Sequence, residues 1–456
     1  MENMKKPELL LPAGNLDNLK LAIRYGADAV YLGGQRFGLR ARADNFSVAE
    51  MQEGVAFAHA HQAKVYLTVN IFAHNEDIEG IKAYFEEIRG IPFDALLISD
   101  PGVILLAKEL LPDIPIHIST QANNTNYMTW EFWRRMGAER VVAARELSLA
   151  EIREIHHRVG DSMEIEAFVH GAMCISYSGR CLLSSYFTGR DANRGACTHP
   201  CRWKYRVYEK TSDMIEADAA VESDGSDGIV PDPDTQSILP EPEYAVAEDS
   251  RPGEYLPIEE DERGTYIFNS KDLCMIGHIP EMMDAGVASF KVEGRMKTAL
   301  YVAVTARTYR MAVDDYMESP QRYIERLPEY EREIAMCTTR DFTTGFFFGK
   351  PTEEDQIYGN NTYQQLAVFL GEIEDVGEDG SILLHQKNKF SVGEEVEVMA
   401  FDGRNLKLTV TRIVNSEGEE QTSAPHPQQE LKVYLSGDKV GDISEGMLLR
   451  RTAEYK

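Results

Sequence analysis

The chain has 456 residues, 43% hydrophobic and 27% charged, and a formal net charge of −28. That length supports a large core and more than one domain, and the balance is that of a soluble globular protein. No run of 18 apolar residues occurs and the first eight residues carry no apolar leader, so neither a membrane span nor a secretory signal is expected.

From the start, short apolar runs alternate with amphipathic stretches. Pro7-Glu-Leu-Leu-Leu-Pro-Ala-Gly14 reads as a buried strand ending in a turn, and Asn15 to Tyr25 as a helix with Asn15 as its cap. Further strands are expected at Ala29–Leu32, Lys64–Asn70, Phe93–Asp100, Ile114–Gln121, Gly137–Arg145, Glu164–His170 and Gly286–Arg295. Helical patterns lie between them, such as Val48–Ala63, Asp77–Arg89, Gly102–Leu111, Thr129–Met136 and Leu149–Val159, and Thr298–Met317 follows the last strand. Eight short strands alternating with helices predict parallel pairing and a closed (β/α)8 TIM-type barrel. An open doubly wound sheet would call for a Gly-rich dinucleotide fingerprint after the first strand, and none is there.

Such a barrel places its site where the strands end and the βα loops begin. The strand ends carry Asn15, Asn70, Asp100, Gln121, Asn123, Arg145, Glu146, His170, Lys291, Glu293 and Arg295. As a set they make a polar mouth suited to an anionic or hydroxylated ligand. Asn70, Gln121, Arg145, Arg180 and Arg295 are candidate substrate-binding residues, and Glu166, His170 and Lys291 are candidate catalytic ones.

The barrel domain is expected over 1–317, with a long insertion between the seventh and eighth strands. Its first part, 171–212, holds four of the six cysteines: Cys174, Cys181, Cys197 and Cys201. Its second part, 213–263, has 17 acidic residues against Arg251 and Arg263, a local net of −15. Low hydrophobicity with high charge predicts disorder there. Charge this uneven means that the overall −28 says little about the potential near a site. Residues 318–363 read as a connecting segment. From Gln364 the period changes to short strands with Gly, Asn or Asp between them, which predicts a small C-terminal antiparallel β-barrel over 364–456.

The cysteine spacings are Cys-x6-Cys, Cys-x15-Cys and Cys-x3-Cys. In a cytoplasmic protein, the location expected here, crowded thiols bind metal or do chemistry more often than they form structural disulfides. Four thiolates suit an iron–sulfur cluster or zinc. Paired Cys-x2-4-Cys knuckles, the usual zinc pattern, are matched only by Cys197/Cys201, so zinc is the runner-up, with redox-active thiols the third choice. Arg180, Arg190, Arg194, Arg202, Lys204 and Arg206 interleave with Tyr177, Tyr186, Phe187, Trp203 and Tyr205. That mixture offers phosphate contacts and base stacking, or simply a solvated face.

Glu166-Ala-Phe-Val-His-Gly-Ala-Met-Cys174 with Ser178-Gly-Arg-Cys181-Leu-Leu-Ser184 resembles the signature of the collagenase-like peptidase family, the thirty-second of unknown catalytic type. Pro7–Gly14, Ala29–Gly33 and Phe290–Arg295 resemble it too. The resemblance covers the barrel and the C-terminal domain, and is nearest to a tRNA-hydroxylating branch. It implies a 4Fe-4S cluster on Cys174, Cys181, Cys197 and Cys201, prephenate as co-substrate, the tRNA anticodon arm as partner, and 5-hydroxyuridine at the wobble position as product. Arg145, Lys291 and Arg295 would then take the dicarboxylate. The family name implies an alternative, proteolysis. Yet Gly-x-Ser-x-Gly and His-Glu-x-x-His are both missing, and Cys174 as a nucleophile with His170 or His199 as base leaves three cysteines unexplained. A third possibility is a cluster-bearing subunit that works with a second family member or as a homodimer.

Overall fold

The computed structural model describes residues 5–38, 45–173, 176–188, 190, 192, 197–198, 200–202, 205–209, 244–248, 255–257, 260–261, 264–265, 271–337, 341–351 and 366–452. Eight parallel strands close on themselves. They are β1 (Glu8–Pro12), β2 (Ala29–Gly33), β3 (Lys64–Val69), β4 (Ala95–Ile98), β5 (Ile116–Ile118), β6 (Arg140–Val142), β7 (Glu164–Ala172) and β8 (Val287–Val292). Each pairs in parallel with the next, and β8 pairs with both β7 and β1. This is the expected (β/α)8 barrel.

The helices are α1 (Leu16–Arg24), α2 (Val48–Ala60), α3 (Ile78–Ile88), α4 (Pro101–Leu110), α5 (Tyr127–Arg135) and α6 (Leu149–Val159). Several start on side-chain caps, of which Asn15 was expected from the sequence. Asn15 and Asp100 accept the backbone N–H of Asn18 and Val103, so these two rim residues serve the helices rather than a ligand. Ser47 and Ser148 form capping boxes with Glu50 and Glu151.

Alternation along the strands sorts the side chains. On β1, Leu9 and Leu11 are buried in the apolar core, while Glu8 accepts hydrogen bonds from side chains of three other strands. The barrel interior is therefore charged rather than filled with branched apolar residues. Arg140 Nη1 donates to Glu8 Oε1 (2.5 Å) and Glu166 Oε2 (3.2 Å). Its Nη2 donates to Glu164 Oε2 at 2.6 Å. Tyr66 and Ser289 donate to the two oxygens of Glu8 at 2.7 and 3.0 Å. Burial alone would raise the Glu8 carboxyl, but Arg140 and Tyr66 hold it below its ordinary value.

The insertion leaves from the end of β7 and returns beside it, since Asp272–Cys274 runs antiparallel to β7 with Asp272 opposite Ala172. A long excursion with adjacent ends adds little closure entropy and leaves the barrel intact. Within it, α7 (Leu183–Thr188) belongs to the same unit as the barrel. A second unit, His199–Asn269 with Gln356–Asn361, contains a three-stranded antiparallel sheet of Tyr205–Glu209, Tyr244–Glu248 and Tyr255–Pro257. Two of these strands, Tyr244–Glu248 and Tyr255–Pro257, fall within 213–263. Residues 213–243 lie outside the described residues.

After α8 (Ile279–Asp284) and β8 come α9 (Ala299–Glu318) and α10 (Pro320–Ala335). The segment read as a connector thus contains a 16-residue helix. Ser319 caps it, Pro320 occupies its first turn, and Tyr323, Leu327, Tyr330 and Ile334 form its packed stripe. The C-terminal domain is the expected antiparallel barrel. Its strands are β9 (Ala367–Val376), β10 (Ser381–Gln386), β11 (Glu395–Met399), β12 (Asn405–Val414), β13 (Glu430–Ser436) and β14 (Leu448–Thr452). They run in the order β11-β14-β9-β10-β13-β12, and β11 pairs with β12 to close the ring.

The two barrels are joined by a buried ionic knot. Glu333 on α10 accepts from Arg307 Nη2 (2.8 Å), from Arg450 Nη2 (3.1 Å to each oxygen) and from Asn405 Nδ2 (2.7 Å). Arg307 also donates to the carbonyls of Ala400 and Arg404. Burial would raise the Glu333 carboxyl, but the two guanidinium groups hold it below its ordinary 4.5. A depressed folded pKa contributes stability that is present above about 4.5 and lost as pH falls through the folded value. Glu333→Ala takes the carboxylate from two buried cations, leaving Arg307 with carbonyl and amide acceptors and Arg450 with Glu397 alone. It is expected to lower unfolding free energy by about 3–5 kcal/mol at pH 7, and by less near pH 3, in urea titrations followed by circular dichroism.

Candidate active site

At the C-terminal ends of the strands the barrel opens into a polar cavity of about 60 Å³. Asn70, Gln121, Arg145, Lys291, Glu293 and Arg295, all read from the sequence as rim residues, line it together. Tyr31, Thr68, Ser119 and Phe168 line it as well and were missed by the sequence reading. Tyr31, Thr68 and Phe168 sit on strands in phase with inward-facing residues, and Ser119 continues that phase one residue past β5, so the period-2 alternation was the signal that could have found them.

Lys291 stands on the cavity floor, 4% exposed. Its Nζ donates to Glu166 Oε1 at 2.6 Å and lies 4.4 Å from the centre of the Tyr31 ring. Glu166 is fully buried beneath the cavity rather than on its wall, where it ties Lys291 to Arg140. Arg145 stacks on Phe168 with its guanidinium carbon 4.1 Å from the ring centre, and its Nη2 is 3.5 Å from Glu293 Oε2. Arg295 donates to Thr68 Oγ1 (3.0 Å) and Asn45 Oδ1 (2.7 Å), and its guanidinium rests against Gly33. A Cβ at Gly33 would come within 2.4 Å of Arg295 Nη1, so only glycine leaves room for that cation.

Three cations against one lining carboxylate, Glu293, give this cavity a positive potential within an acidic protein. His117, deeper in the barrel, adds no charge. Burial first, then Arg140 and Lys291, push its imidazole well below the ordinary value.

The structure places His170 elsewhere. Its ring packs against Tyr301, Tyr309 and Phe342, and burial pushes its pKa down to about 3. It is neutral and turned away from the cavity, and only its backbone serves the mouth, by accepting the Glu293 N–H at 2.8 Å. Arg180 is exposed on the cysteine loop and does not line the cavity.

The cysteine loop is pinned to the mouth at Ser178-Gly179. Glu146 accepts from Asn123 Nδ2 (2.6 Å), from the Ser178 N–H (3.2 Å) and from Ser178 Oγ (3.0 Å). Gly179, at φ +74, lies so close to the Gln121 carbonyl that a Cβ would be 2.2 Å from its oxygen. Farther along, the Thr198 N–H donates to Ser184 Oγ at 3.1 Å. The stretch carrying Cys197 is thereby tied to the first turn of the helix that follows Cys181.

Cys181 and Cys197 are half-buried, Cys201 sits on the short turn Pro200–Arg202 of the second unit, and Cys174 lies outside the described residues. Among the described residues no three His, Cys, Asp or Glu side chains gather into a metal-holding group. The other two cysteines are inert, because burial pushes Cys274 up to about 11 and Cys337 up to about 12. Of the interleaved basic and aromatic residues, Tyr177, Arg180 and Arg190 have described side chains, and all three are exposed.

Two family models account for nearly the whole chain. Residues 14–357 match "Peptidase family U32", and residues 365–450 match "Peptidase family U32 C-terminal domain". The chain belongs to peptidase family U32. Among curated relatives, "tRNA hydroxylation protein P" of Escherichia coli (strain K12) is 42% identical over 92% of this chain and 92% of its own. "tRNA hydroxylation protein P1" of Bacillus subtilis (strain 168) is 39% identical over 94% and 92%. "Collagenase" of Porphyromonas gingivalis (strain ATCC BAA-308 / W83) is 30% identical over 81% and 80%. No helix among the described residues is long and apolar enough to cross a membrane.

The docking of Gly179 is open to test. Gly179→Ala is expected to free the 176–180 segment from Glu146 and Gln121. Hydrogen exchange at the Ser178 amide should then accelerate by about tenfold or more, with little change in the melting temperature.

Proposed function

We propose that this U32 protein hydroxylates tRNA, converting wobble uridine to 5-hydroxyuridine with prephenate as co-substrate. The observation that carries the reading is the cysteine loop docked at Ser178-Gly179 on the rim of a cavity lined by three cations. A cationic pit suits a dicarboxylate, and Arg145, Lys291 and Arg295 are its binding groups. Two relatives named for tRNA hydroxylation, each aligned over more than nine-tenths of this chain, support the reaction class.

Cys174, Cys181, Cys197 and Cys201, close together in the sequence, would supply the four soft thiolates of a 4Fe-4S cluster, with zinc as the alternative occupant. Such a cluster would supply one-electron chemistry. The protein's own part is to orient. Glu166 fixes the Lys291 ammonium at the cavity floor, and Glu293 and Phe168 set the plane of Arg145. The exposed Tyr177 and Arg180 beside the pinned residues offer a stacking face and a phosphate contact for an anticodon arm. A second U32 chain or a homodimer remains compatible with this assignment.

Protein purified without oxygen should contain iron and sulfide and absorb visible light, and Cys174→Ala should lose most of that iron. Iron-free wild type, or unchanged iron in the variant, would refute the cluster. Nucleoside analysis of tRNA from a deletion strain should show no 5-hydroxyuridine, restored by wild type. Arg295→Met should raise the prephenate KM by about tenfold or more, consistent with loss of a buried charge-assisted contact. Peptide hydrolysis by metal-free protein, with tRNA unaltered by the deletion, would favour proteolysis instead.

A further inference from the structure

One acceptor at the cavity has no donor among the described residues. The Asn70 amide follows the end of β3, and its Nδ2 donates to Ser119 Oγ at 3.2 Å. Ser119 Oγ also accepts the Gln121 N–H at 3.4 Å, at the start of the turn Thr120–Ala122. The Ser99 hydroxyl donates to the Asn70 backbone carbonyl at 3.3 Å, which fixes the residue. Asn70 Oδ1 is buried, and no hydrogen-bond donor reaches it among the described residues. Buried amide oxygens are ordinarily hydrogen-bonded, so this one is set for a donor that arrives with a ligand.

The neighbouring cations restrict what that donor can be. An ammonium group would be repelled by Arg145, Lys291 and Arg295, which line the same cavity. A carboxylate has no proton to give at neutral pH. The donor is therefore neutral, and on a small acid the simplest neutral donor is a hydroxyl. Lys291 supplies the complementary half. Its ammonium has three N–H bonds, and Glu166 takes one, which leaves capacity for an acceptor in the cavity that it lines. Both groups border a cavity of only about 60 Å³, so one small molecule can meet them together.

We propose that Asn70 is a specificity-determining residue, its Oδ1 accepting from a ligand hydroxyl while Lys291 takes the carboxylate of the same molecule. The pair selects hydroxylated acids over their deoxy counterparts. This rests on the co-substrate reading above and adds the residue that reads the hydroxyl.

The test titrates two acid pairs into anaerobically purified protein by calorimetry. One pair is prephenate and its analogue without the ring hydroxyl; the other is L-malate and succinate. Wild type should prefer the hydroxylated member by about tenfold or more, since a site that leaves its buried acceptor unpaired rejects the analogue. Asn70→Ala should lose the preference while binding the deoxy acid within about threefold of wild type. Lys291→Met should weaken both members of a pair. A melting temperature for Asn70→Ala within a few degrees of wild type secures its folding. If prephenate does not bind wild type, the co-substrate reading fails. A malate preference that vanishes in Asn70→Ala would still uphold the role of Asn70. Equal affinities within both pairs, or a preference that survives in Asn70→Ala, overturns the proposal and leaves water as the partner of Asn70.

Discussion

Charge buried inside the first barrel is the constraint on which the rest depends. Glu8, Arg140, Glu166 and Lys291 come from β1, β6, β7 and β8, and they form one continuous chain of ion pairs along the interior. Each ion lost its hydration on folding, and only correctly placed partners offset that loss. Register errors between strands would strand a carboxylate or a guanidinium in the interior, so the ion chain selects one alignment of the barrel. It also ends in the cavity. The Lys291 ammonium that lines the cavity is the last member of a series that begins near the opposite end of the strands.

The cysteine loop depends on the same rigid rim. Glu146 and Gln121 follow β6 and β5, and both are held by neighbours before the loop reaches them. The loop departs from β7, touches down on two other βα loops at Ser178-Gly179, and only then continues to Cys181. A thiol-bearing segment fixed in this way is positioned by the barrel rather than by whatever the thiols bind.

Much of this was legible in the sequence, because strand-forming runs, helix caps and turn glycines act locally. Asn15, Ser47, Asp100 and Ser148 begin helices by rules that need no tertiary information. Lys291, Arg145 and Arg295 could be placed on one rim because a closed barrel brings all strand ends together. Helix α10 was missed because Pro328 and a dense run of charge obscure a stripe that repeats every three or four residues. His170 misled because a residue near a strand end can face either side, and the β7–β8 pairing is irregular between Lys291 and Val292. That no donor among the described residues reaches the Asn70 oxygen could not be read at all. It is a property of what surrounds a side chain, not of its position in the chain.

The knot of Arg307, Glu333 and Arg450 bears on how these two barrels can be inherited. Its members lie on α9, α10 and β14, and Arg307 also binds backbone carbonyls of the second barrel. Recombination that exchanged the C-terminal module at the linker would split this set unless the incoming piece brought a matching charge. From Arg307 onward, α9 and α10 therefore belong with the second barrel, and a chimera made within the family has its safest crossover before Arg307 rather than between the domains.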